Sequence, residues 1–163
     1  MLRRKKTKIA SLLLIVLMII LMFAPVSLYD VGVYRHCPVI NRLTYNFFHA
    51  NGVHLALNAW CFLSCIFLAD VPASVLIASF IIACTVPVYS DIPTIGLSGV
   101  CFAILGFIML KVKNKINYNI YIAISIILPT VLLDSVNNLV HAYCYIVAVI
   151  VGLIFKAKHG KGS

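Results

Sequence analysis

The sequence predicts an all-α polytopic membrane protein, a bundle of six transmembrane helices, on three observations. Hydrophobic residues fill 63% of the 163 positions, charged residues only 10%, and the mean hydropathy is +1.09; that balance does not suit a water-soluble globule. Six predominantly apolar windows follow one another, each near the roughly 20 residues that a spanning helix needs. The positive charge is sorted by position, as in chains that cross a membrane several times.

The first window, residues 9–28, follows the basic stretch "MLRRKK". A basic start also opens a signal peptide, but no small-residue cleavage site follows the apolar run, so it reads as a retained first span. The connection over residues 29–52 mixes aromatics with Arg35 and Arg42. Such a mixture at headgroup level predicts an interfacial element lying on the membrane. Windows two to six cover residues 53–69, 73–89, 96–112, 118–133 and 138–155. They are separated by the short breaks "DVP", "SDIPTI", "KNKIN" and "DSVN", which Pro72, Pro93 and the aspartates mark as turns. Pro87 and Pro129 fall inside windows three and five, where a missing backbone donor predicts a kink. The windows take most of the length, so residues 1–163 are expected to form a single domain.

A formal charge of +9 would point to nucleic acid in a soluble protein. Here its distribution argues for topology, and no nucleic-acid partner is expected. Eleven of the thirteen Lys and Arg residues fall before window one, at or after the end of window four, or after window six. With six crossings these three places share one side, which the positive-inside rule makes the cytoplasm. Residues 1–8 and 156–163 are therefore expected inside. The six cysteines form no C-x-x-C pair and no His-rich ligand spacing accompanies them. The expectation is free thiols packed as small hydrophobes, with no metal and no other cofactor.

Against this apolar background a few polar residues stand out, and polar groups at membrane depth usually face a bundle interior. His54 and Asn58 lie four residues apart, on one helical face, with His49 just ahead of them. Ser98 sits in "GLSGVCFAILG", and His141 falls early in "NNLVHAYCYIVAVIVG". Windows two, four and six all run from outside to inside, so their N-terminal thirds meet at one depth. Ser98 as nucleophile and His141 as general base then make a chemically sensible pair. His54, Asn58 and the Ser98 N–H would donate to a developing oxyanion. The G-x-S-x-G elbow of α/β-hydrolases is absent, because position 100 is Val.

These three stretches together resemble the rhomboid intramembrane serine proteases. "RLTYNFFHANGVHLALNAW" is similar to that family's first-loop and second-helix signature, with Arg42, His49, His54 and Asn58 at the expected spacing. "GLSG", opened by Gly96, resembles the G-x-S-G motif around the nucleophile. The resemblance covers about residues 42–152. It implies a rhomboid-like six-helix core in a bacterial cytoplasmic membrane, hydrolysing peptide bonds in or next to transmembrane segments of other proteins. It further implies a Ser98–His141 dyad without an acid, an oxyanion site at His54, Asn58 and Gly96, and substrate access around Pro129 and residues 134–137. Asp134 receives no catalytic role.

Three features depart from the family pattern: Asn41 replaces an aromatic before Arg42, Phe102 replaces a tyrosine that packs on the base, and Cys144 and Ala148 stand at the glycines of a G-x-x-x-G, with Gly152 one turn later. The expected consequences are a looser first loop, preserved ring packing and a less tight helix contact. Two other functions compete with proteolysis. A non-catalytic rhomboid-like protein would bind membrane helices, but such relatives typically lack the serine or the histidine. A transporter or channel would favour an intramembrane carboxylate or an inverted repeat, and neither is visible.

Overall fold

The computed structural model describes residues 2–132 and 137–159. Among them the fold is all-α, with helices α1 (Leu2–Leu21), α2 (Leu28–Val31), α3 (Asn41–Thr44), α4 (Gly52–Leu68), α5 (Ala73–Cys84), α6 (Ser98–Met109), α7 (Lys115–Leu132) and α8 (Asn138–His159). The sole extended pairing among the described residues is an antiparallel bridge between Val33 and Thr94. One helix, α8 over Asn138–Ala157, is long and apolar enough to cross a membrane on length and composition alone. Helices α4, α5 and α6 are apolar but shorter, at 17, 12 and 12 residues.

Helix α6 is the centre of the bundle and packs against α8, α5, α4 and α7. Small residues make its closest approach possible. Gly99, Ala103 and Gly106 on α6 meet the stripe Val140, Cys144 and Ala148 on α8, and Ala103, Cys144 and Ala148 are wholly buried. A Cβ at Gly106 would lie 2.6 Å from the Tyr145 carbonyl oxygen and 2.8 Å from the Ala148 Cβ. The helix contact, expected to be less tight, is therefore close, because cysteine and alanine are small enough for the backbones to approach.

Several boundaries differ from the sequence expectation. Helix α1 takes in the basic run and ends at Leu21, ahead of the Ala24–Pro25 pair, since the residue before a proline avoids the helical region. Arg4 pairs with Asp70 and Lys8 approaches it at 3.7 Å, so the basic turn of α1 is fastened to the α4–α5 connection. Helix α5 stops at Cys84, which leaves Pro87 outside it and removes the expected kink there. The break before α6 is correspondingly longer than "SDIPTI" and runs over residues 85–97. Pro129 does lie inside α7. Residues 134–136 of the expected access loop, Asp134 included, lie outside the described residues.

The first connection is a folded unit rather than a loose strap. Ser27 and Asp30 form a capping box on α2. Asn41 is buried, and its amide donates to the carbonyls of Gly32 at 2.8 Å and Tyr29 at 3.0 Å. Asn41 thus ties the loop together by hydrogen bonds instead of loosening it. Arg42 donates to the carbonyl oxygens of Val86 at 2.7 Å and Cys84 at 3.5 Å, and the Tyr45 hydroxyl donates to that of Ala83 at 2.8 Å. Of these carbonyls, that of Cys84 ends α5 without a helical partner, that of Ala83 also accepts the Val86 N–H at 3.4 Å, and that of Val86 lies just beyond the helix. Burial raises the Tyr45 pKa well above the usual phenol value, which keeps that donor proton in place.

Candidate active site

The backbone ahead of α6 is set by the first connection. The Tyr45 carbonyl accepts the Gly96 N–H at 2.8 Å, and His49 Nε2 accepts the Leu97 N–H at 3.3 Å. Gly96 adopts a φ of +125°, a region that side chains rarely tolerate, and a Cβ there would lie 2.8 Å from the His54 ring. The chain consequently turns into α6 with Ser98 as its first residue. A residue in that position has an amide N–H without an intrahelical partner, at the positive end of the helix dipole.

His141 sits one position beyond Val140, in the first turns of α8, and is 8% exposed. Its Nε2 lies 2.8 Å from Ser98 Oγ. The Phe102 ring stacks on the imidazole, with centroids 4.4 Å apart and planes 21° from parallel. The ring packing expected of Phe102 against His141 is therefore present. His141 Nδ1 is buried and has no hydrogen-bond partner among the described residues. For Nε2 to accept the serine proton, the resting imidazole must carry its own proton on Nδ1.

The other predicted residues fall around this pair. Asn51 caps α4 by accepting the His54 N–H at 2.9 Å, which starts the helix so that His54 and Asn58 follow on one face. The Asn58 amide donates to the His54 carbonyl at 3.0 Å, which uses one of its two N–H groups and leaves the second for a ligand. The Asn58 Nδ2 would lie 3.6 Å from a Cβ at Gly96, so His54, Asn58 and Gly96 are neighbours. His49 meets His54 edge to face, with centroids 5.1 Å apart. Arg42 does not reach this cluster; it fastens the first connection to the end of α5, as described above.

His49 is best placed to position rather than to react, because its Nε2 is occupied by the Leu97 N–H. Burial, reinforced by the nearby His54, lowers its pKa to about 4, so the accepting neutral form is held at neutral pH. One positioning residue, Tyr45, escaped the sequence reading, and another, Asn41, was expected to loosen the loop it in fact holds. Tyr45 touches both the end of α5 and the backbone of Gly96, and Asn41 pins the loop beneath them. Their signal was present as polar residues in an apolar chain, but it pointed to an interfacial strap rather than to a buried one.

Among the described residues no group of His, Cys, Asp and Glu has the geometry of a metal site. Comparison with known proteins gives no relative: no family model matches the chain, and neither a curated protein nor a solved structure does.

Proposed function

We propose that this chain is an intramembrane serine endopeptidase of rhomboid type, cleaving peptide bonds in or beside transmembrane segments of other membrane proteins. The observation that carries the reading is the 2.8 Å contact between Ser98 Oγ and His141 Nε2, made across two helices and next to His54, Asn58 and Gly96. A nucleophile touching its base beside clustered donors is the constellation that acyl transfer requires.

A multi-pass membrane setting is supported by the polarity of the bundle. Leu13, Trp60, Ile81, Ile127 and Ile150 are exposed on five different helices, whereas Asn41, Asn58 and His141 are buried. A soluble monomer rarely exposes apolar surface so widely. Helices α5 and α6, at 12 residues each, reach about 18 Å of the roughly 30 Å hydrocarbon core. The extended chain over residues 85–97 completes those crossings, with its backbone paired to the first connection, as at Val33–Thr94. The termini then lie in the cytoplasm and the dyad beneath the outer surface.

In this reading the Ser98 Oγ bonds to the scissile carbonyl carbon while its proton passes to His141 Nε2. The carbonyl electron pair moves onto oxygen, where the free Asn58 N–H, His54 and the Ser98 N–H receive it. His141 returns the proton to the departing amine nitrogen, leaving an ester on Ser98. Water then attacks the ester carbonyl and gives one proton to His141. That proton returns to Ser98 Oγ as the new carboxylate leaves. Phe102 holds the imidazole plane in place of an acid partner.

Co-expression of wild type, Ser98→Ala and His141→Ala with a tagged single-span substrate tests the proposal. A fragment made by wild type and lost in both variants is expected. A fragment that persists in Ser98→Ala overturns the reading, and capture of the substrate without a cut points to a binding protein instead.

A further inference from the structure

At the end of the bundle opposite the dyad, a cavity of about 540 Å³ opens between α5, the end of α6 and the end of α8. Its walls are apolar, with Val71, Val75, Ala78 and Phe107 among them. Three polar side chains, Ser74, Lys111 and Lys156, share the lining. Neither lysine has a carboxylate partner among the described residues. Asp70, next in the chain to the lining residues Ala69 and Val71, is engaged by Arg4 and Lys8.

We propose that this cavity is a binding site for one anionic glycerophospholipid of the inner leaflet, with an acyl chain between α5, α6 and α8 and the phosphate between Lys111 and Lys156. The inference rests on the membrane reading given above and does not depend on proteolysis. Its volume lies within the roughly 300–1,000 Å³ of small-molecule sites. An apolar cavity with two cations in its lining matches a ligand whose tail is oily and whose head is negative. The positive-inside assignment puts both lysines on the cytoplasmic face, where such lipids are met and where basic pockets between helices hold their headgroups. The Ser74 hydroxyl supplies a further donor to a phosphate oxygen.

The test is native mass spectrometry of the detergent-purified chain titrated with dioleoyl phosphatidylglycerol or, separately, dioleoyl phosphatidylcholine. One phosphatidylglycerol per chain, held at least ten times more tightly than phosphatidylcholine, is expected. Lys111→Gln/Lys156→Gln should lose that preference, and Ala78→Leu should weaken binding by occupying the slot. Lys113→Gln/Lys115→Gln, which removes two lysines outside the cavity, should bind as wild type does. Equal retention of both lipids, or equal loss in the two double variants, overturns the site. Alkaline carbonate extraction of cell membranes separates the two failures. A chain retained in the membrane without a bound lipid refutes the cavity assignment alone, and a chain released by carbonate refutes the membrane reading beneath it.

Discussion

At the residue scale, the site divides into groups that react and groups that aim them. In the proposed reaction Asn58 belongs to the first kind, because the bond to the His54 carbonyl uses one N–H and fixes the direction of the side chain, leaving the second N–H to meet negative charge. Asn58→Ala is expected to slow cleavage by about 10²–10³-fold in kcat without abolishing it, the usual cost of one oxyanion donor among several. Single-turnover kinetics on a folded variant would check this, and complete inactivity would deny Asn58 that role. His49 belongs to the second kind. Its pKa is about 4 in the fold against 6.5 when free, so the unfolded chain takes up a proton first as pH falls. Stability should therefore decline between about pH 6.5 and 4, by up to about 1.4 kcal/mol per pH unit for this one group. His49→Gln should flatten that limb of the thermal-unfolding profile in detergent. An unchanged slope would mean that His49 is not the group responsible.

At the element scale, the decisive features are a close helix pair and a helix cut short. The α6–α8 contact relies on Gly106, where a Cβ would meet the Tyr145 backbone at 2.6 Å. Gly106→Val should cost at least about 1–3 kcal/mol through overpacking and pull His141 away from Ser98. A lower unfolding temperature together with reduced cleavage is the expected pair of results. Retained stability with full activity would contradict the packing account. At and just beyond the early end of α5, Arg42 and Tyr45 donate to the carbonyls of Ala83, Cys84 and Val86. Arg42→Met should lower stability by about 1.5–3 kcal/mol, the range for hydrogen bonds to a charged donor, with cleavage chemistry affected only through the loop.

The helices α1 and α4 to α8 were legible because each apolar window stands out against the polar breaks around it, although α5 and α6 run to only 12 residues. Their ends were not, since Pro87 was read as a kink inside a helix when the chain had already left the helix at Cys84. The pairing of Ser98 with His141 was legible from chemistry and from the shared direction of windows four and six. The parts played by Asn41 and Tyr45 were not. The partners of Tyr45 are backbone groups of the remote residues Ala83 and Gly96, those of Asn41 are the carbonyls of Tyr29 and Gly32 within its own connection, and no pattern along the sequence records either set.

At the scale of the whole molecule, a largely apolar core encloses a few buried polar side chains, the outer helix faces are apolar as well, and Arg4, Lys8, Lys111 and Lys156 lie around the α4–α5 connection. This arrangement predicts cytoplasmic termini. Reporter fusions after residue 163 should be active only in the cytoplasmic form, and an externally active fusion would invert the topology and the depth assigned to the dyad. Everything functional depends on Ser98 being a nucleophile that His141 activates. The most direct measurement is reaction of the purified chain with a fluorophosphonate, followed by mass-spectrometric location of the adduct. Labelling confined to Ser98, absent in Ser98→Ala and strongly slowed in His141→Ala, is the predicted result. A chain that stays unlabelled while folded, or one labelled equally when Ser98 is gone, would contradict it.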